Sequence, residues 1–376
     1  MLIFHAEASN AAGPLVRALA GARREMAERQ RMAFLEAGAD EAEIVAGPPD
    51  DLSFGERLAQ AVRGRAVGRA HDDATDGDGA TAGGGAIVLG SGSIPLARAS
   101  DLRRFVEVAA GPGGHALANN RYSADVVAVS RAGDLAGLPP LPADNALPRW
   151  LEERAGVAVA DLRTRWRLGV DVDTPLDLIV LGGPAGRRIH GTAPLVGERL
   201  AALSDVLRNR RAELLVAGRV SAATLRWLES GVACRVRALV EERGLRAASL
   251  LAQSGTKTGG RPPRSVLGEL LDRDGPESLA ATVARLADAA VIDTRVLMAH
   301  RNGADESTWP VAEDRFASDL LLAESIADPR LRSLTKSAAG AVSAAPSSGR
   351  PILLGGHTIV NGGLRLLAQR ARAGKR

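Results

Sequence analysis

Short apolar runs alternate with segments of helical period along the whole chain, and this alternation predicts α/β layering. In the first half, residues 2–4, 43–46, 86–89 and 125–129 read as strands, while 14–35, 54–62 and 145–154 read as helices. The run 166–172 reads as a further strand. It leads into a helix opened by Asp173 or Thr174, with Pro175 in the first turn and Asp177 at the positive end of the helix dipole. The second half repeats the alternation. Strands are expected at 213–217, within 289–297 and at 352–354, and helices at 221–229 and 313–322. Residues 234–240 read as a strand or as helix continuing into Arg243. The Gly- and Pro-rich stretch 182–194 marks the expected boundary, giving domains 1–185 and 190–376, and no fixed-period repeat is visible.

A length of 376 residues also favours two domains, and 45% hydrophobic with 24% charged residues is a globular mixture. Aromatics make up only 3%, so the core must be built from Leu, Val, Ile and Ala. The formal net charge is 48 − 44 = +4, but only Lys257, Lys336 and Lys375 are lysines and the arginines are scattered among acids. No stretch interleaves aromatic with basic residues, so the expected partner is an anionic small molecule and not nucleic acid. Cys234 is the single cysteine, which excludes an intramolecular disulfide and a cysteine-based zinc site. The first residues, Met1 to Glu7, lack a basic region followed by an apolar run. No uncharged apolar stretch approaches the roughly 20 residues of a membrane span. A cytoplasmic protein with no membrane partner is expected, and a homodimer stays open. Residues 72–85 hold four aspartates among glycines and read as a solvated surface loop.

The segment Asp171-Val-Asp-Thr-Pro-Leu-Asp-Leu178, with the run 166–170 before it, resembles the D-[VI]-D-T-P-x-D-L element of the GT-A-like nucleotidyltransferases. That superfamily includes the molybdenum-cofactor nucleotidylyltransferases and the 2-phospholactate guanylyltransferases. Ile87-Val-Leu-Gly-Ser-Gly-Ser-Ile-Pro95 resembles the strand and loop these families write as G-[ST]-D-x-P, and Phe54-Gly-Glu-Arg-Leu58 resembles the helix start before it. The resemblance covers roughly residues 1–182. It implies a GT-A-like (Rossmann-like), mostly parallel sheet domain, here followed by a second α/β domain. It also implies transfer of a nucleotidyl or glycosyl group, from a nucleoside triphosphate or sugar nucleotide, to an anionic small molecule with Mg²⁺. Asp171 and Asp173, two apart on one face of a strand, would hold the metal. Gly90, Ser91, Gly92 and Ser93 would approach the nucleotide, and Arg17 would help neutralise phosphate.

This chain departs from the pattern in two places. Gly92 stands where the families place the metal-binding aspartate, and the stretch 8–17 keeps a Gly and an Arg but no Lys. The alternative is therefore a nucleotide- or sugar-nucleotide-binding protein that has lost catalysis, or an activity residing in the second domain. No catalytic residue is assigned.

In the second half, Leu354-Gly-Gly-His-Thr-Ile-Val-Asn-Gly-Gly363 reads as a glycine loop between a strand and a basic helix. Gly355, Gly356 and His357 could meet an anion there, or serve the turn alone. Asp293 and Arg295 stand at the end of a strand, the rim where open α/β sheets place ligands, against the alternative of a surface ion pair. Arg261-Pro-Pro-Arg264 reads as a stiffened connection. Glu313, Asp314, Arg315 and Asp319 read as a solvated helix face, with Arg315 and Asp319 paired four apart. The six histidines form no i, i+4 pair, and no G-x-S-x-G elbow is present.

Overall fold

The computed structural model describes residues 1–47, 52–72, 84–141, 144–242, 263–340 and 350–373. Most of the acidic loop expected at 72–85, and Arg261 and Pro262 of the expected stiff connection, lie outside the described residues. The chain divides into two compact units, Met1–Ala12 with Ala20–Asp171, and Gly13–Leu19 with Val172–Arg376. The division thus falls between Asp171 and Val172, ahead of the Gly- and Pro-rich stretch at 182–194. Among the described residues, no helix is long and apolar enough to cross a membrane.

The first unit is α/β. Its strands are β1 (Leu2–Ala6), β2 (Glu43–Gly47), β3 (Ala86–Gly90), β4 (His115–Ala118), β5 (Val126–Val129) and β6 (Ala158–Asp161). Helices α1 (Pro14–Glu36), α2 (Phe54–Asp72), α3 (Ala99–Ala109) and α4 (Leu147–Glu153) lie between them in the chain. The sheet order is β2-β1-β3-β5-β4-β6, and only β5 is antiparallel to its neighbours. β3 and β5 are adjacent at the centre, with Val88 opposite Val127, where their apolar runs predict neighbouring central strands.

The two-residue period of a strand sorts these side chains onto two faces. Leu2, Val88, Val127 and Val129 pack on one side with Leu58, Leu147 and Leu151. Ile3, Ile87, Leu89, Val126 and Ala128 pack on the other with Phe34, Leu102 and Phe105. Both faces are therefore apolar, which is why the central strands read as unbroken hydrophobic runs.

The expected strand at 166–172 does not form. Trp166–Gly169 is a 3₁₀ turn, closed by the Leu168 amide donating to the Arg165 carbonyl at 2.8 Å. The alternating apolar positions bury Leu168, Val170 and Val172 through that turn, and only Asp171 makes a β contact, an isolated antiparallel bridge to Ser93.

The second unit is also α/β, with strands β7 (Glu213–Gly218), β8 (Arg235–Val240), β9 (Ala289–Asp293) and β10 (Ile352–Gly355). They pair in the order β10-β9-β7-β8, all parallel, so β8 takes the strand alternative at 234–240. Its helices are α5 (Pro175–Leu181), α6 (Gly183–His190), α7 (Pro194–Arg208), α8 (Ala222–Gly231), α9 (Val266–Asp274), α10 (Leu279–Leu286), α11 (Thr294–Asn302), α12 (Ala312–Asp319), α13 (Pro329–Gly340) and α14 (Leu364–Ala373). The glycine loop expected over 355–363 is mostly helical. After Gly356 the chain enters a helix at once, and Ile359–Gly363 widens into a π turn running into α14. A Cβ at Gly363 would approach the Thr358 carbonyl oxygen to 3.0 Å, so this glycine serves close helical packing.

The first unit's core gives a direct stability prediction. Phe105 is fully buried on α3, and Phe105→Ala should cost about 3–5 kcal/mol in urea unfolding followed by circular dichroism. A loss below about 1 kcal/mol would mean that the cluster around Phe34 and Phe105 closes over the gap.

Candidate functional sites at the strand ends

In the first unit, β3 delivers Gly90 to Ser93 at its carboxyl end. The Ser91 amide donates to the Phe4 carbonyl at 2.9 Å, and the Ser93 amide to the Gly90 carbonyl at 3.0 Å. The Ser91 hydroxyl lies 3.0 Å from His5 Nδ1, both residues being buried. Burial lowers the His5 pKa, with Arg24 acting in the same direction. Gln30 Nε2 donates to the Ser93 carbonyl. Ile94 follows with φ of +44°, an unusual value for a β-branched residue. Ser93 meets Asp171 across the antiparallel bridge, so two sequence-distant segments singled out by motif lie side by side.

The metal pair expected from Asp171 and Asp173 lacks the strand that would put both on one face. Asp171 is half-buried and belongs to the first unit; Asp173 is exposed and belongs to the second. The capping reading applies from Thr174 onward. Thr174 is the N-cap of α5, and Asp177 Oδ2 accepts from the Asp173 amide (3.0 Å), the Thr174 amide (2.8 Å) and the Thr174 hydroxyl (3.0 Å).

Arg17 lies early in α1, where the resemblance places the phosphate-holding stretch. By its contacts, Gly13–Leu19 clusters with the second unit. The free amides of the first turn, Leu15 and Val16, donate to the two carboxylate oxygens of Glu313 at 3.0 and 3.1 Å. Gly13 makes room for that carboxylate: a Cβ there would sit 2.2 Å from Glu313 Cδ. The helix end already holds an anion, and the anion is a side chain.

In the second unit, parallel pairing sets Gly355 opposite Asp293 at one rim of the sheet. Gly218 ends the neighbouring β7 at φ of +125°, and a Cβ there would lie 2.3 Å from Asp293 Cβ. Arg219 follows it and embraces Asp293, Nε to Oδ2 at 2.5 Å and Nη2 to Oδ1 at 3.1 Å. Asp293 also caps α11 by accepting from the Arg295 amide at 3.2 Å. The Arg295 guanidinium is clasped by Asp319 at 2.5 and 2.7 Å and donates to the Thr294 hydroxyl at 2.9 Å. A Cβ on Gly356 would lie 3.7 Å from Thr174 Cγ2 and 3.9 Å from Arg295 Nε, so the backbone passes close to both. His357 opens the following helix, half-buried.

The rim therefore gathers Asp293, Arg295, Gly355 and Gly356, but its charges satisfy one another. Burial raises the Asp293 pKa, and Arg219 overcomes it to hold the carboxyl below its usual range. Burial alone would lower the pKa of Arg295; the Asp319 carboxylate more than offsets this and keeps the guanidinium charged. Near this rim, Asp177 Oδ1 is buried with no hydrogen-bond partner among the described residues.

Arg219 and Asn361 carry no role in the sequence pattern, and Asp319 departs from the solvated face expected of it. Asp319 is fully buried and pairs with Arg295, while Arg315 pairs with Glu306 at 3.1 Å. Asp314 accepts the Ala327 and Asp328 amides at 3.0 and 2.8 Å. The solvated face expected on α12 is thus an internal set of tethers. Asn361 has all its groups engaged, accepting from the Ser221 amide and Thr224 hydroxyl and donating to the Arg219 and His357 carbonyls. The signal for Arg219 was its position at a strand end, the position that singled out Asp293.

Among family models, curated proteins and solved structures, none matches this chain.

Burial, reinforced by the negative charge of Asp173, pushes the Asp177 pKa up to about 7 from 3.8. The folded chain then holds a proton that the unfolded chain has lost. Stability from this group is present in full at low pH and declines as pH rises through about 7. Melting temperature should accordingly fall between pH 5 and 8, and Asp177→Asn should flatten most of that fall. An unchanged slope in the variant would place the titration elsewhere.

Proposed function

We propose that the first unit is a GT-A-like nucleotide-binding domain that receives a nucleoside triphosphate or sugar nucleotide against the Gly90–Ser93 loop and Asp171. The bridge between Ser93 and Asp171 carries this reading. It joins the two segments whose residues resemble the superfamily, and it does so at the carboxyl end of a central strand, where open α/β sheets receive ligands. The loop 91–93 is tied to Phe4 and Gln30 through its backbone and to His5 through the Ser91 hydroxyl before any ligand arrives, which lowers the ordering cost of binding.

Magnesium, when bound with a triphosphate, neutralises charge and polarises the reacting phosphorus. The donors for a resident ion do not fit. Gly92 offers no side chain, Asp171 is the single carboxylate of the motif in this unit, and the described residues contain no group of three His, Cys, Asp or Glu that could hold a metal. Of the two functional readings, binding without efficient transfer is the better supported, and no reaction step is derived through a metal.

Gly92 makes the reading testable, because its φ is not positive and an aspartate can adopt its backbone. Calorimetric titration of a panel of nucleoside triphosphates and sugar nucleotides should find at least one ligand for the full chain. Its affinity should change less than about threefold when Mg²⁺ is withdrawn. Gly92→Asp restores the carboxylate of the family pattern and should make binding at least about tenfold dependent on Mg²⁺. Absence of any nucleotide ligand would end the proposal. Mg²⁺-dependent nucleotidyl transfer by the unaltered chain would reinstate the enzyme reading.

A further inference from the structure

The second unit holds a cleft that neither the strand-end rim nor the nucleotide reading uses. It offers about 90 Å³ of cavity volume among α9, α11 and α13 and opens to solvent. Its floor is hydrocarbon, from Leu271, Leu297, Met298, Leu331 and Leu334, and its mouth carries Asp272, His300, Arg301 and Arg330.

The mouth is built in a fixed order. Gly268 admits the imidazole of His300, since a Cβ there would lie 2.5 Å from His300 Cδ2. The Ser265 amide donates to His300 Nδ1 at 3.0 Å, so Nε2 carries the hydrogen and donates to Asp272 Oδ2 at 3.1 Å. Both ring nitrogens are thereby used. His300 orients Asp272 and is no general base. The other oxygen, Oδ1, is shared by two guanidiniums: Arg330 bonds it directly, and Arg301 approaches only to 3.8 Å. Asp328, also at the cleft, has Oδ1 committed to the Leu331 amide at 2.7 Å. One carboxylate oxygen cannot engage the donors of two forks, so Arg301 keeps N–H groups facing the cleft mouth.

We propose that this cleft binds a small molecule with one carboxylate head and an unbranched hydrocarbon body. Arg301 and Arg330 would take the head, and Leu297, Met298 and Leu331 would line the body. A carboxylate supplies the second planar acceptor that the paired guanidiniums lack, as Asp272 supplies the first. The buried polar side chain in the lining, Thr294, has its hydroxyl already engaged with the Gly355 carbonyl and Arg295, so apolar burial drives the rest of the binding.

Methionine supplies a built-in reporter. Of the four methionines, Met1, Met26 and Met32 lie in the first unit and only Met298 in the second. The full chain labelled with ¹³C-methyl methionine should show one resonance, that of Met298, shifting on titration with octanoate. Octanol at equal concentration should shift it far less. Arg301 is 52% exposed and makes no close bond among the described residues, so Arg301→Gln should fold normally and weaken octanoate binding at least about tenfold. Three results would each overturn the proposal. These are no Met298 shift with octanoate up to about 1 mM, equal shifts with octanol, and undiminished octanoate binding by folded Arg301→Gln.

Discussion

The meeting of Ser93 with Asp171 is the constraint on which the first unit's strand-end loop depends. An isolated β bridge holds little by itself, but this one fixes the end of a loop already tied to Phe4, His5 and Gln30. The chain leaves that loop through Ile94 at φ of +44°, a conformation that costs on the order of 1–3 kcal/mol. Such a cost persists only where the surroundings over-determine the geometry. Here they do so at the carboxyl end of the sheet's central parallel strand, where backbone groups are positioned before any ligand binds.

The second unit meets a different demand at the same kind of edge. Its parallel sheet ends in Asp293 and Arg295, both buried, and buried charges are tolerated only when paired. Arg219 and Asp319 supply the pairs, and Gly218 supplies the space. The outcome is a rim whose guanidiniums are spent on internal carboxylates, which argues against an anion site there. At the mouth of the cleft beside Asp272, by contrast, two arginines share one carboxylate oxygen.

What could be read from the sequence follows the range of each interaction. The central strands were legible because burial on both faces leaves an unbroken apolar run, as in Ala86–Gly90 and Val126–Val129. The Thr174-to-Asp177 cap was legible because its partners stand three residues apart. The run 166–172 misled because an apolar residue at every second position also suits a 3₁₀ turn packed on a core. Asp319 misled because spacing along a helix reveals local neighbours, while its partner, Arg295, comes from another element. Gly363 read as a loop residue, but close packing inside the π turn asks for the same lack of a side chain. The motif pair was legible as two motifs, and only the fold could show that they touch.

Backbone hydrogen exchange on the full chain, with and without a saturating nucleoside triphosphate, tests the central claim most directly. The account predicts slowed exchange in peptides covering residues 91–93 and 171, with residues 355–357 unchanged. Protection confined to 355–357, with none at 91–93, would contradict it and move the nucleotide to the second unit.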